Sequence, residues 1–249
     1  MNDLVTAFAD ESRRRIDDLL RTQVEAIRTA GGLIADSVRA DGVIHAYGTG
    51  HSEAAALELA GRAGGLIPTN RLALRDPVVL GDASPAEFDP LAERDPQTAH
   101  RVLSLHVLKP SDAFMIASNS GGNGSTVEMA LLVKERGLPL IAITSLAHTT
   151  AITSRHPSGK RLFELADVVI DNCAPYGDAV LDTPSGPVCG ISSITSAMAV
   201  QLMVAEAIEL LVADGTVPPT YLSANIPGAD AHNDALVARY AGRIRVGAL

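Results

Sequence analysis

A short polar segment, Gly48-Thr49-Gly50-His51-Ser52, follows the apolar run over residues 43–47. An Ala/Leu/Glu pattern over residues 53–62 comes directly after it, so this stretch predicts a strand, a tight turn and a helix. Such a turn binds anions, because glycine lets the backbone approach a ligand and the first helical turn offers unpaired N–H groups at the positive end of its dipole. We therefore expect four residues to contact a phosphate group: Thr49, Gly50, His51 and Ser52.

A second segment of the same kind follows the apolar run over residues 113–117. It reads Ser118-Asn119-Ser120-Gly121-Gly122-Asn123-Gly124-Ser125-Thr126, with four hydroxyl side chains, two amides and three glycines, and a helical pattern comes after it. This density of donors strengthens the phosphate interpretation, and five residues are expected to bind: Ser118, Asn119, Ser120, Gly121 and Asn123. Neither segment completes a GxGxxG or GxxxxGK[ST] signature, which disfavours a nucleotide. Two ordinary turns between strand and helix are the structural alternative.

Chemistry on a sugar phosphate needs a general base beside the carbon next to the carbonyl group, and an acid for an oxygen atom. Glu58 lies one to two helical turns after the first segment, where its carboxylate would face a bound sugar. Arg62 follows four residues later on the same helical face, so an ordinary surface ion pair is the alternative. Glu93 is a further catalytic candidate. It lies in a long segment rich in Pro and acidic residues, over 75–98, and a solvated loop charge is its alternative.

Several strings in this chain resemble a known family. The two loops, with Ser-x-Ser-Gly after the later strand, resemble the sugar isomerase (SIS) phosphosugar-binding domain over about residues 40–212. A larger set of strings resembles the UPF0309 group over nearly the whole length: Gly-Thr-Gly-His-Ser, Arg62-Ala63-Gly64-Gly65-Leu66, Ser-Asn-Ser-Gly, Glu128-Met129-Ala130 and His232-Asn233. Many SIS domains have Ser-x-Ser-Gly-x-Thr-x-Glu, whereas Glu128 lies several residues further on. No role is therefore carried onto Glu128.

The resemblance implies a flavodoxin-like fold and two catalytic residues. In similar sugar isomerases, including phosphoheptose isomerases, a helix just after the first loop carries a catalytic carboxylate, and a histidine comes from the C-terminal part. Glu58 and His232 are the nearest matches, with a solvent-exposed helix residue as the alternative for His232. The expected substrate is an N-acetylhexosamine 6-phosphate, attacked by α-proton abstraction. Elimination of water, similar to the reaction of muramic acid phosphate etherases, ranks ahead of isomerisation, and a non-catalytic phosphosugar sensor is the opposing class.

The elements that must position these residues alternate between strand and helix. Five regions predict strands: 43–47, 66–68 with 72–74, 113–117, 138–143 and 167–170. This order predicts an α/β fold with a doubly wound, five-stranded parallel sheet. Ligands bind at the carboxyl ends of such strands, so we expect the two loops to meet there, together with Thr144 and the candidate phosphate ligand Ser145.

Three parts are expected along the chain: a helical arm over 1–40, the SIS domain over 41–215, and a tail with a short helix over 216–249. Apolar residues at spacings of three and four predict two arm helices that separate near Gly31-Gly32. The apolar stripe of the arm must be buried on its own sheet or on a second subunit, so we predict a homodimer with a shared active site. Residues 155–160 are predicted to form a basic exposed turn, and residues 171–190 to be irregular.

Composition narrows the classes of function. The net charge is −9 and aromatic residues make up 3%, which disfavours nucleic acid and anionic membranes as partners, because both attract basic surfaces. The two cysteines lack CxxC spacing and the seven histidines lack HxxE or HxxxH spacing, so no metal or other cofactor is expected. The first residues do not resemble a signal peptide, and the apolar stretch 194–213 is interrupted by polar residues. We expect a cytoplasmic protein.

Overall fold

A five-stranded parallel sheet forms the centre of the computed structural model, which describes residues 3–87, 89 and 91–245. The strands, in chain order, are β1 (Ile44–Gly48), β2 (Thr69–Leu72), β3 (Ala113–Ala117), β4 (Leu140–Thr144) and β5 (Val168–Asp171). Their order across the sheet is β2-β1-β3-β4-β5, and every neighbouring pair is parallel. The central strands are buried throughout, as expected when helices cover both faces. The predicted doubly wound α/β fold is confirmed.

Helices pack against both faces of this sheet. In chain order they are α1 (Leu4–Thr22), α2 (Val24–Arg39), α3 (Glu53–Leu59), α4 (Asp76–Val79), α5 (Gln97–Leu103), α6 (Gly124–Glu135), α7 (Leu146–Thr149), α8 (Ser192–Ala213) and α9 (Ala229–Ala238). One hydrophobic core joins α2, α3 and α8 to the sheet, and a second core joins α5 and α6 to the opposite face. The helices that follow β1 and β3 therefore lie on opposite sides of the sheet.

The boundary between the two arm helices differs from the prediction. The chain breaks at Gln23, between α1 and α2, whereas Gly31 and Gly32 lie inside α2. A Cβ atom on Gly31 would lie 2.6 Å from Cβ of Glu206 on α8, so glycine at this position permits close packing of two helices. α2 contributes many residues to the core, whereas Leu19 is the buried residue of α1.

Three further predictions needed correction. The second strand covers residues 69–72 rather than the flanking apolar runs. The long segment 75–98 is not a plain loop: it contains α4, short 3-10 turns and the start of α5. Residues 171–190, predicted to be irregular, include an antiparallel hairpin of β6 (Ala179–Thr183) and β7 (Gly186–Gly190). Within the described residues, the hairpin strands pair with each other and with no other strand, and most of their residues are half-buried or exposed.

The apolar helix α8 packs against α2 and α3. It is the one helix in the described residues with the length and composition to cross a membrane, and 39% of its most apolar window is buried within one chain. Ile194 on α8 and Leu57 on α3 are exposed. The outer surface of these two helices, here called the α3–α8 face, therefore carries apolar side chains that the described residues do not cover.

A buried polar cluster fastens the end of the described chain to the sheet. Asp112, just before β3, accepts hydrogen bonds from His45 Nε2 (3.2 Å), the backbone N–H of Val43 (2.8 Å) and Arg243. Burial acts to raise the pKa of Asp112, but these hydrogen bonds and one from the Lys109 N–H lower it to about 2. Burial lowers the pKa of His45, which keeps this imidazole neutral at pH 7.

Candidate functional site

The two donor-rich loops lie at the point where the strand order reverses. β1 and β3 are neighbours, with Gly48 beside Ala117 at their carboxyl ends. The chain leaves β1 for α3 on one face and leaves β3 for α6 on the other. This divergence opens a crevice above the strand ends, which is the usual ligand position in open α/β sheets. The structure therefore brings together the β1 loop (residues 49–52) and the β3 loop (residues 118–123), as the sequence predicted.

Glycine shapes the tight turn of the β1 loop. A Cβ atom on Gly48 would lie 2.4 Å from the carbonyl oxygen of Ser52, and Gly50 has a φ of 55°. Both positions therefore favour glycine. The side chain of His51 is exposed and that of Ser52 is half-buried, and neither makes a hydrogen bond within the described residues. These two side chains remain available to a ligand.

The β3 loop is held in shape by its first serine. Ser118 Oγ accepts a hydrogen bond from the Gly121 N–H at 3.0 Å, and Gly121 has a φ of 61°. A Cβ atom on Gly121 would lie 3.0 Å from Thr149 Oγ1. The hydroxyl of Ser120 is half-buried and has no partner among the described residues. Ser120 is therefore a preorganised donor at the mouth of the crevice.

A network that the sequence analysis did not identify fixes Asn119. Asn172 Nδ2 donates to Asn119 Oδ1 (3.1 Å) and to Ser196 Oγ on α8 (3.2 Å). The Asn119 carbonyl oxygen also accepts a hydrogen bond from the Ser145 N–H at 3.3 Å. These contacts leave the Asn119 amide nitrogen as a free donor. Asn172 and Ser196 lie far apart in the chain, so spacing gave no signal for their contact.

Arg155 brings a positive charge to the β3 loop. Its Nη1 donates to Asn123 Oδ1 at 2.9 Å, and its backbone N–H donates to the Gly122 carbonyl at 2.8 Å. No carboxylate pairs with Arg155 in the part of the chain that the structure describes. The predicted basic turn therefore touches the site through its first residue.

The next residue of that turn is buried, contrary to the prediction of an exposed turn. His156 Nε2 lies 2.7 Å from Glu128 Oε2 on α6, and His100 Nε2 on α5 lies 2.7 Å from Glu128 Oε1. Burial acts to raise the pKa of Glu128, but the hydrogen bonds from the two histidines lower it overall. This His100–Glu128–His156 clasp fixes the turn, and with it Arg155, against α6. Spacing could not reveal a clasp built from three separate elements.

The side chain of Ser145 stabilises the local fold in this structure. Its hydroxyl donates to the Ala174 carbonyl at 2.7 Å and accepts a hydrogen bond from the His148 N–H at 3.0 Å, which caps α7. The residue is fully buried. Its predicted contact with phosphate would require these bonds to change.

Glu93 lies at the site rather than in a solvated loop. Thr49 Oγ1 donates to Glu93 Oε2 at 3.1 Å. Ser125 Oγ, in the first turn of α6, donates to the Glu93 carbonyl at 3.0 Å, and the buried Tyr47 hydroxyl donates to Ser125. A Cβ atom on Gly124 would lie 2.1 Å from the Arg94 carbonyl oxygen, so this turn sits directly on α6. Glu93 therefore links the β1 loop to the start of α6.

Glu58 and His232 lie in different surroundings. Gln201 Nε2 on α8 donates to Glu58 Oε1 at 2.7 Å, and Arg62 forms an ion pair with the same carboxylate. Within the described residues, Glu58 makes no hydrogen bond with either loop. His232 is exposed on α9, and its Nε2 lies 3.0 Å from the Thr220 carbonyl oxygen. Nε2 carries the proton in that bond, and Nδ1 makes no hydrogen bond within the described residues.

No cluster of three or more His, Cys, Asp or Glu side chains that could hold a metal occurs in the described residues. The site consists of hydroxyl, amide and carboxylate groups with one arginine. Such a set suits a phosphate ester and the transfer of protons.

Comparison with known proteins identifies the family of this chain. The family model of the SIS domain matches residues 7–145. A UPF0309 protein from Listeria monocytogenes is 40% identical over 239 residues, covering 95% of this chain and 97% of the relative. A UPF0309 protein from Caldanaerobacter subterraneus is 35% identical, covering 97% of this chain and 99% of the relative.

Solved structures show the same fold at low identity. A phosphoheptose isomerase from Neisseria gonorrhoeae superposes with a TM-score of 0.56 at 20% identity, covering 82% of this chain and 97% of that chain. A phosphoheptose isomerase from Francisella tularensis gives a TM-score of 0.56 at 14% identity, covering 83% of this chain and 97% of that chain. This chain belongs to the SIS-domain family and, within it, to the UPF0309 group.

Proposed function

We propose that this protein is an enzyme that acts on an N-acetylhexosamine 6-phosphate by abstracting the proton next to the sugar carbonyl. The observation that supports this most is the meeting of two donor-rich loops at the switch in strand order, with a carboxylate, Glu93, between them. The loops would hold the phosphate, and the sugar would extend from it toward catalytic side chains. Membership of the SIS-domain family indicates the fold of this chain. The proposed chemistry rests on the geometry of the site itself.

The phosphate is bound in this proposal by the β3 loop and the start of α6. Ser120 offers an unpartnered hydroxyl, and Asn119 offers a free amide nitrogen. Arg155 supplies positive charge through its contact with Asn123. The first backbone N–H groups of α6 lack acceptors in the preceding turn, and a helix N-terminus favours an anion. These groups would allow the site to bind phosphate although the whole chain has a net charge of −9.

Two carboxylates and one imidazole are the candidates for proton transfer. Glu58 is the proposed base, because Gln201 and Arg62 both bind its carboxylate and hold it in one orientation. His232 is the proposed acid, donating from Nδ1 when it is protonated. Glu93 is the second candidate for the base, since it contacts Thr49 inside the β1 loop.

Both outcomes of the reaction start from the same carbanion at C2 of the sugar. Loss of the C3 hydroxyl as water gives an unsaturated product, whereas return of a proton gives an isomer. We place elimination ahead of isomerisation, by analogy with etherases of similar fold. Amide side chains in the β3 loop suit the N-acetyl group of the substrate.

A second copy of the chain completes the site in this proposal. The α3–α8 face carries exposed Leu57 and Ile194, and Glu58 lies beside it. A homodimer that covers this face would bury the apolar surface and place the partner chain near Glu58. His232, whose side chain is exposed, would then act in the site of the opposite subunit. Both cysteines are free, in keeping with a protein of the reducing cytoplasm.

Replacing Ser120 with alanine should weaken phosphosugar binding by about tenfold. The change removes one hydroxyl donor to an anion, and such a bond contributes roughly 1.5–3 kcal/mol. Titration calorimetry with N-acetylglucosamine 6-phosphate measures the effect. Ser185→Ala, in the exposed hairpin turn, is the matched control and should bind like the parent. Unchanged affinity of the Ser120 variant would rule out this phosphate position.

Arg155→Gln should weaken binding by a similar factor and reduce its sensitivity to salt. The glutamine side chain can still extend toward Asn123, but it lacks the positive charge. Dissolved salt screens the attraction between that charge and phosphate. Affinity measured at two salt concentrations separates the two effects. Arg13→Gln, on the exposed face of α1, is the control. A variant whose binding remains as salt-dependent as the parent would contradict a contact between Arg155 and phosphate.

Proton NMR in deuterated water tests the proposed reaction. N-acetylglucosamine 6-phosphate is incubated with the protein, and the C2 proton and any vinyl signal are followed. Exchange at C2 with a vinyl product identifies elimination, and exchange with formation of the C2 epimer identifies isomerisation of this substrate. Line broadening without exchange would overturn the enzymatic proposal for this substrate and favour a sensor.

A further inference from the structure

A groove on the opposite side of the molecule from the strand ends has the features of a second ligand site. It consists of two adjoining cavities of about 450 and 320 Å³ whose walls share Leu108 and Arg136. The groove runs from the end of α5, past Leu108, to the end of α6. Cavities of several hundred Å³ are the usual size of small-molecule sites. It does not include any residue of the β1 or β3 loops.

The charge of the groove is opposite to that of the chain. Arg136 and Lys109 line it, and neither has a carboxylate partner in the described residues. Arg136 Nη1 donates to the Leu132 carbonyl oxygen at 2.7 Å, so both positive charges remain available to an anion, in a protein whose net charge is −9. His100 also lines the far end, where Glu128 pairs with it. Among the described residues, no acidic side chain lines either cavity.

His106 supplies an independent indication of a ligand. Its side chain is 1% exposed and lines the larger cavity, yet neither ring nitrogen has a hydrogen-bond partner in the described residues. Asp76 Oδ2 lies 3.5 Å from Nε2, so Nδ1 is the nitrogen with no polar atom assigned to it. A buried polar group without a partner carries a free-energy cost, because folding has removed its hydrogen bonds with water. An oxygen atom of a bound ligand at this cavity would remove that cost.

Apart from Ser104, the rest of the wall is apolar. Leu103, Leu108 and Leu132 line the larger cavity, and Leu138 lines the smaller one. A ligand that fills the groove must therefore combine an apolar body with an acidic group. The volume suits a molecule rather than a bare ion.

We propose that this groove is a binding site for a small amphipathic anion, an apolar ring or chain that carries one acidic group. The acidic group lies between Arg136 and Lys109, the apolar body packs on the four leucines, and a further polar atom of the ligand contacts His106. The site is separate from the crevice at the carboxyl ends of the strands, and it does not depend on the proposed reaction.

The test uses 8-anilinonaphthalene-1-sulfonate, an aromatic anion whose fluorescence rises in apolar surroundings. We expect saturable binding at one site per chain. Arg136→Gln and Lys109→Gln should each weaken the affinity by about tenfold, because each removes one charged contact. Arg13→Gln should bind like the parent. A neutral analogue, N-phenyl-1-naphthylamine, should bind at least tenfold more weakly than the anion.

A second measurement locates the probe independently of the charge variants. Leu108→Glu places a carboxylate in the wall shared by the two cavities and should abolish binding, since Leu108 is only half-buried and the variant can fold. Backbone amide NMR shifts should move for residues 103–110 and 132–138, and not for the β1 and β3 loops. Unchanged affinity in both glutamine variants, equal binding of the neutral analogue, or shifts confined to other regions would each overturn the proposal.

Discussion

Replacing Glu58 with glutamine is expected to lower turnover of the phosphosugar by about 10³-fold, while the dissociation constant changes by less than about twofold. A positioned general base contributes roughly 10²–10⁴ to a rate. Glutamine has the shape of glutamate and can keep the contact with Gln201, but it cannot accept the proton from C2. Loss of kcat with retained binding is the signature of a base and differs from the effect of a misfolded site.

The surroundings of Glu58 make this experiment informative. Arg62 and Gln201 both bind its carboxylate, and a residue with only a structural ion pair would look the same in one chain. A catalytic role and a structural role for Glu58 predict different turnover rates for the glutamine variant. If the ion pair is merely structural, Glu58→Gln will alter stability slightly and leave turnover intact.

Two companion variants decide which carboxylate takes the proton. Glu93→Gln keeps an oxygen atom that can accept the hydrogen bond from Thr49 but removes the basic carboxylate, and it should reduce turnover more than Glu58→Gln if Glu93 is the base. Glu25→Gln, on the exposed face of α2, is the control for a lost charge and should keep full activity. Full turnover in the Glu58 variant, with turnover lost in the Glu93 variant, would move the base to Glu93.

The sequence predicted those elements whose structure is determined by residues close together in the chain. β3 occupies residues 113–117, as predicted, because a strand buried on both faces must be an unbroken apolar run. The β1 loop was identifiable because Gly48 and Gly50 meet steric demands that other residues cannot satisfy. Both signals are local, so one sequence is enough to read them.

Contacts between distant segments could not be read in this way. Gly31 resembled a helix break, yet it lies where α2 approaches Glu206 on α8. The hairpin at 179–190 was missed because its strands are half-buried and pair only with each other, which leaves little alternation in the sequence. Each of these features depends on packing that the order of residues does not display.

The residues of the candidate site also form two groups, those that the sequence identified and those that it did not. The types and spacing of Ser118 and Ser120 pointed to the β3 loop, and the structure places that loop beside the β1 loop. The contact of Glu93 with Thr49 was not predictable, since it depends on how the segment 75–98 folds over α6. Side chains that act within one loop can be found from sequence, whereas partners from separate elements require the fold.

The largest effect on stability is expected at Asp112, far from the proposed chemistry. Asp112→Asn should lower the free energy of unfolding by about 3 kcal/mol at pH 7, because it leaves Arg243 and His45 buried beside a neutral amide. Urea denaturation followed by circular dichroism measures this. Asp214→Asn breaks a pair with Arg39 at the surface and should have a much smaller effect.

The difference in the free energy of unfolding between the parent and the Asp112→Asn variant is expected to become smaller as the pH falls. The pKa of Asp112 is about 2 in the folded protein, below the ordinary value of 3.8, so its stabilising effect is complete above pH 3.8 and disappears as the pH falls toward 2. The shift corresponds to about 2 kcal/mol. The parent and the Asp112→Asn variant should therefore differ most at neutral pH and converge in acid, whereas a difference that stays constant between pH 7 and 3 would show that Asp112 acts through shape rather than charge.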